Sequence, residues 1–110
     1  MQSYLFIASR DPFASRDVEN AYRLIAELAT RGTPVTLFLV QNGVLAARRG
    51  ADVEQFTALM TTPGVAVLVD TFALQERGIT PDTLTPGVQT ADIETLVDLL
   101  IADGQKAIWH

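Results

Sequence analysis

Three short runs of almost unbroken apolar residues most constrain how this chain can fold. They read YLFIAS at 4–9, VTLFLV at 35–40 and VAVLV at 65–69. Runs of this length, rich in Val, Leu, Ile and Phe, are typical of strands buried on both faces of a parallel sheet that helices cover. Two weaker segments, GVQ at 87–89 and KAIWH at 106–110, bring the prediction to about five strands.

Between these runs, apolar residues recur at the spacing of amphipathic helices. The three stripes are Val18, Ala21, Tyr22, Ile25 and Leu28; Val53, Phe56, Leu59 and Met60; and Ile93, Leu96, Val97, Leu100 and Ile101. Thr90 is placed to cap the last helix, and Gly104 to end it. Strands that alternate with helices predict a three-layer α/β/α sandwich with mainly parallel strands and right-handed crossovers. At 110 residues, we expect one domain spanning residues 1–110.

Composition excludes several classes of function. The net charge of −5 argues against nucleic-acid binding, which needs a basic face. The chain has no cysteine, so it has no disulfide, no thiolate nucleophile and no thiolate metal site. Glycine motifs for nucleotide phosphates are absent, and one histidine cannot make a zinc site without several carboxylates, so no cofactor or metal is predicted. The first apolar run is too short for a signal sequence or a membrane span, and we expect a cytoplasmic protein.

The carboxyl ends of the predicted strands are unusually polar. In an open parallel sheet these ends share one edge, and ligands bind along that edge. Asp70, at the tip of the third strand, is the candidate catalytic residue. The candidate ligand-binding residues are Ser9, Arg10, Asp11, Gln41, Asn42, Gly43, Thr71, Arg77 and the only histidine, His110.

Several of these candidates also have a purely structural interpretation. Asp70 can cap the short predicted helix 71–77, or it can act as a general base in the crevice. Gly43 fits a turn that needs a positive φ angle. His110 belongs either to a frayed tail or to the crevice itself, where Trp109, which we expect to be buried, would hold it.

Four segments together resemble the DsrE/DsrF/DsrH-like family of small sulfur-relay proteins, over essentially the whole chain. They are YLFIASRDP, VTLFLVQNGV, VAVLVDTFALQERGI and the closing KAIWH. The resemblance implies a three-layer α/β/α domain, flavodoxin-like in outline, with a five-stranded and mainly parallel sheet. It also implies homotrimers, homohexamers or hetero-hexamers in the cytoplasm, with sulfur-relay proteins as possible partners.

The resemblance assigns the active position of the family to a residue that lacks sulfur. In members that transfer sulfur, a cysteine just after the third strand carries a persulfide. Alignment on the shared Arg-Gly-Ile at 77–79 puts that position on Asp70. Persulfide relay needs a thiolate that forms an S–S bond, and a carboxylate cannot form one. Covalent sulfur carriage by this cysteine-free chain is therefore excluded.

Three functions are compatible with the sequence. The first is a non-catalytic, oligomeric scaffold, partner-docking or small-ligand-binding protein linked to intracellular sulfur metabolism. The second is an enzyme with acid–base chemistry, in which burial raises the pKa of Asp70 and His110 lies within hydrogen-bond reach of it. The third is a ligand-sensing or regulatory module that binds a small anion or a nucleotide at the helix N-termini after Arg10 and Asn42.

Overall fold

Parallel pairing of five strands sets the architecture of the computed structural model, which describes residues 2–53 and 55–110. The order in the sheet is β4-β3-β2-β1-β5, and every neighbouring pair is parallel. The predicted α/β fold with about five parallel strands is therefore confirmed, although the weak fourth segment shifts by two residues. The strands are β1 Ser3–Ala8, β2 Val35–Leu39, β3 Val65–Asp70, β4 Gln89–Ala91 and β5 Gln105–Trp109.

Four α-helices and two 3₁₀ helices connect the described strands: α1 Asp17–Thr30, α2 Phe56–Met60, α3 Thr71–Glu76, α4 Ile93–Ile101, and the 3₁₀ helices Gln41–Ala47 and Pro81–Thr83. The prediction that Thr90 caps α4 is wrong, because Thr90 pairs with Val69 inside β4. Asp92 is the cap instead, and its side chain accepts a hydrogen bond of 3.0 Å from the Thr95 amide. None of the helices in the described part of the chain has the length and apolarity needed to span a bilayer.

The order of the strands decides which face of the sheet each helix covers. From β1 to β4 the chain advances one strand at a time, and right-handed crossovers put α1, α2 and α3 on one face. The return to β5 runs the opposite way, so α4 crosses the other face. Packing agrees, since Tyr22, Leu59 and Leu74 share one buried cluster whereas Leu96 packs against Phe38 in a second. We call these the three-helix face and the α4 face.

Helix α4 leaves its own face only partly covered. The sequence predicts an apolar stripe of five residues on this helix, yet only Leu96 is buried. The other four contact water: Ile93 is 63% exposed, Val97 48%, Leu100 40% and Ile101 74%. Because successive residues lie about 100° apart around a helix, the exposed residues form a second apolar side next to the one that contacts the sheet.

The loop after β2 approaches β1 so closely that position 43 requires glycine. A Cβ atom on Gly43 would lie 2.2 Å from the carbonyl oxygen of Ala8. The positive φ angle predicted for this loop falls instead on Gln41, at 48°. Gly43 therefore allows two strand ends to approach, and this approach brings Gln41 and Asn42 to the carboxyl end of β1.

We expect Gly43→Ala to lower the free energy of unfolding by about 3 kcal/mol, since the added methyl group meets backbone rather than a flexible side chain. The matched control is Gly32→Ala, where φ is +94° but nothing lies within 4 Å. That change should cost about 1 kcal/mol through its backbone conformation alone. Urea unfolding followed by circular dichroism measures both losses, and equal losses would contradict the close-approach explanation.

Candidate functional site

Candidate residues from four strands meet at the carboxyl edge of the sheet, because the strands run parallel. Thr71, which directly follows β3, links the ends of β3 and β4. Its hydroxyl donates a hydrogen bond of 2.8 Å to the carbonyl of Ala91 at the end of β4. The residues at this edge are Ser9, Arg10 and Asp11 after β1; Gln41, Asn42 and Gly43 after β2; Asp70 and Thr71 at the end of β3; and His110 after β5.

Asp70 caps α3, as its structural interpretation predicts. The residue is half-buried, and its Oδ2 accepts a hydrogen bond of 3.3 Å from the Ala73 amide. Among residues 2–53 and 55–110, no arginine, lysine or histidine forms an ion pair with Asp70. Among the described residues, this carboxylate therefore accepts a hydrogen bond from a helix amide but has no cation that offsets its charge.

Arg77, one of the two arginines among the candidate ligand-binding residues, is bonded to other groups. Its guanidinium donates two hydrogen bonds to Asn42 Oδ1, at 3.1 and 2.9 Å, and a third of 3.1 Å to the Ala73 carbonyl. Its Nη1 also lies 3.7 Å from Glu76 Oε1. Arg77 thus fastens the loop after β2 to the end of α3, a contact between two predicted site residues that are distant in sequence.

The second candidate arginine, Arg10, lies in the loop after β1 and is paired with α1. Arg10 Nη1 lies 3.0 Å from Asp17 Oδ2, at the first residue of α1, in an exposed ion pair. Asp11 Oδ1 accepts a hydrogen bond of 2.8 Å from the Phe13 amide, which is the contact of an Asx turn. These bonds direct the loop and the Arg10 charge towards α1.

His110 is held in place by backbone pairing, in contrast to a frayed tail. Its amide donates a hydrogen bond of 2.8 Å to the Ile7 carbonyl, and its carbonyl accepts one of 3.2 Å from the Ser9 amide. Burial lowers the pKa of its imidazole, and the positive charge of Arg10 lowers it further, against the opposing effect of Asp17. The imidazole is therefore mainly neutral at pH 7.

The geometry does not bring the predicted acid–base pair together. Successive side chains of a strand point to opposite faces of the sheet. Val69 packs in the core of the three-helix face, so Asp70 points to the α4 face. His110 instead lines a hollow with Phe6 and Asp17 on the three-helix face. The sheet separates the two side chains that the enzyme hypothesis requires to be in contact.

On the α4 face, Asp70 lies in an open cleft of about 340 Å³, a volume in the range of small-molecule sites. Within the described residues, no group of three or more His, Asp or Glu side chains is placed to hold a metal ion. The polar lining residues are Ser9, Gln41, Asp70 and Glu76, and the apolar ones are Val40, Phe72, Ala73, Ile93, Leu96 and Trp109.

The two aromatic residues of this cleft were not expected there. Phe72 is 64% exposed and Trp109 is 65% exposed, so the expectation that Trp109 is buried is wrong. Trp109 lies on the edge strand β5, where the described elements leave its side chain in contact with water. The exposure of Phe72 could have been predicted from the sequence of α3. Ala73 and Leu74 take the inward positions of this helix, which leaves Phe72 facing outward.

Comparisons with known proteins now identify the family. A model of the DsrE/DsrF-like family matches residues 2–109. The chain belongs to this family. A comparison with curated proteins gives no match.

Two solved structures show how far the likeness of this DsrE/DsrF-like chain extends. The YchN protein of Escherichia coli is 26% identical, with a TM-score of 0.82, and the match covers 98% of this chain and 100% of that one. MTH1491 from Methanobacterium thermoautotrophicum, a protein of unknown function, is 19% identical, with a TM-score of 0.75. That match covers 99% of this chain and 98% of the other, and it supports the fold alone.

Loss of the Asp70 cap should be measurable. We expect Asp70→Ala to lower the free energy of unfolding by about 1 kcal/mol, and Asp70→Asn to leave it nearly unchanged, because Asn caps helices as well as Asp does. Asp92→Ala, which removes the cap of α4, is the matched control. Urea unfolding compares the three variants. A gain in stability for Asp70→Ala would instead indicate a strained, functional carboxylate.

The single histidine permits a clean test of its environment. We expect the imidazole of His110 to titrate below 6.5 in the folded protein and near 6.5 in the urea-unfolded chain, because burial disfavours its charged form. Proton NMR of the imidazole ring measures both values. The unfolded chain then binds the proton of His110 more tightly than the folded protein does. The free energy of unfolding should therefore decrease as the pH falls through 6.5 towards the folded pKa. A folded pKa above 6.5 would contradict the described burial.

Proposed function

We propose that this chain is an oligomeric, non-catalytic DsrE-like protein that serves intracellular sulfur metabolism without carrying sulfur itself. The observation that carries the proposal is the exposed apolar side of α4, on a sheet face that this one helix only partly covers. The absence of cysteine removes the covalent chemistry of the sulfur-transferring relatives. The separation of Asp70 from His110 removes the support for the acid–base alternative.

The self-association surface consists of Ile93, Val97, Leu100 and Ile101, which we call the α4 stripe. From their exposed fractions, these side chains offer roughly 400 Å², against about 800 Å² that each partner buries in a standard interface. Slightly more than half of such an interface is apolar. The α4 stripe therefore supplies most of the apolar area that a stable contact requires.

A second copy of the chain fits this surface better than a partner of different chemistry. The α4 face exposes small side chains on both sides of α4, namely Ala66 on β3 and Ala107 on β5, where a helix can approach closely. A neighbouring α4 presents an apolar side that can cover this face. The four residues of the stripe are uncharged, so two acidic chains can bring them together without burying a carboxylate.

We expect the protein to sediment as a trimer or hexamer, and the double variant Val97→Glu/Ile101→Glu to sediment as a monomer, because burying two carboxylates in the contact is unfavourable. The matched control, Asn20→Glu/Ala58→Glu, adds the same charge on exposed positions of α1 and α2 and should keep the wild-type mass. Sedimentation equilibrium measures all three proteins. A monomeric wild-type protein, or equal masses for both variants, would overturn the assembly.

Treatment with polysulfide should leave the protein without covalent sulfur, because no thiol is present to hold it. Intact-mass spectrometry reads the result directly. Asp70→Cys serves as the positive control, since it places a thiol at the position that the family resemblance assigns to the sulfur carrier. A stable mass increase of one sulfur atom on the wild-type chain would contradict the proposal.

A further inference from the structure

The cleft beside Asp70 has an unusual balance of charge. Asp70 and Glu76 both line it, and none of its described lining residues is an arginine, lysine or histidine. Arg77 lies nearby but is bonded to Asn42, to a backbone carbonyl and, at 3.7 Å, to Glu76. The charge of Glu76 is thus partly offset, whereas that of Asp70 is not. The cleft therefore disfavours an anion and leaves one carboxylate to be matched by a cation.

The walls of the cleft add a second, independent feature. Phe72 of α3 and Trp109 of β5 both line it, and about two-thirds of each residue is exposed to water. Aromatic faces attract organic cations, and Trp attracts them most strongly. Val40 and Leu96 contribute aliphatic surface to the same cleft. An apolar ammonium compound satisfies both features, since its charge matches the carboxylate and its carbon substituents cover the rings.

We propose that this cleft binds a small organic cation, an ammonium group with apolar substituents, with Asp70 as the counter-ion and Phe72 and Trp109 as the aromatic walls. A bare metal ion fits less well, because hard cations take six or more oxygen ligands and this cleft offers few. A neutral apolar compound would leave the carboxylate without a partner. Of the residues that line the cleft, only Ile93 belongs to the α4 stripe.

The only tryptophan of the chain lies in the cleft, so its fluorescence reports on binding. The probes are choline and 3,3-dimethylbutan-1-ol, which has the same shape but carries no charge, titrated at constant ionic strength. We expect a saturable change in Trp109 emission with choline, and at least tenfold weaker binding of the alcohol. Asp70→Asn keeps the helix cap, so the fold is retained, and it should weaken choline binding at least tenfold.

The matched control is Asp98→Asn, which removes the same charge from the exposed part of α4 and should leave both titrations unchanged. Equal affinity for the two probes would overturn the proposal, because it would show an apolar hollow without charge selection. The absence of a saturable change with choline would also overturn it. An equal loss of choline affinity in the Asp70→Asn and Asp98→Asn variants would also overturn the proposal. It would show that choline is attracted to the net negative charge of the chain rather than to this cleft.

Discussion

Parallel hydrogen bonding of β1 to both β2 and β5 is the interaction on which the rest of the structure depends. It fixes all strand ends at one edge, and it forces the chain to travel from β1 to β4 and then back across the sheet. Right-handed crossovers convert that path into three helices on one face and one on the other. The uneven cover is therefore a consequence of topology, and it leaves apolar residues of α4 exposed among the residues that the structure describes.

The same edge holds Asp70, to which the sequence resemblance assigns the position of the sulfur-carrying cysteine. A carboxylate keeps the place at the strand tip and gains a structural role as the cap of α3. It cannot form an S–S bond, and its negative charge favours cations over the sulfur anions that a relay protein receives. A carboxylate at this strand tip therefore suits a different class of ligand from the one that a thiol would serve.

Much of the fold could be predicted from the sequence, because the buried strands β1, β2 and β3 are continuous apolar runs with few alternative structures. The cap of α3 was also readable, since Asp70 directly follows a strand and precedes a helical segment. The side chains of the cleft were harder to predict. Burial of Trp109 was expected from its size, but its exposure depends on which elements cover the edge strand β5. Likewise, the apolar stripe of α4 indicates a helix without showing which of its sides meets the sheet.

We propose that the α4 faces of separate copies meet when the protein assembles. Because the chain has no cysteine, Glu94→Cys introduces a single thiol beside the α4 stripe, and a nitroxide spin label can be attached to it. Dipolar electron paramagnetic resonance then measures the coupling between labels on different copies. We expect strong coupling between labels on Glu94→Cys and much weaker coupling between labels on Arg23→Cys of α1. Coupling that is absent from α4, or equal at the two positions, would contradict it.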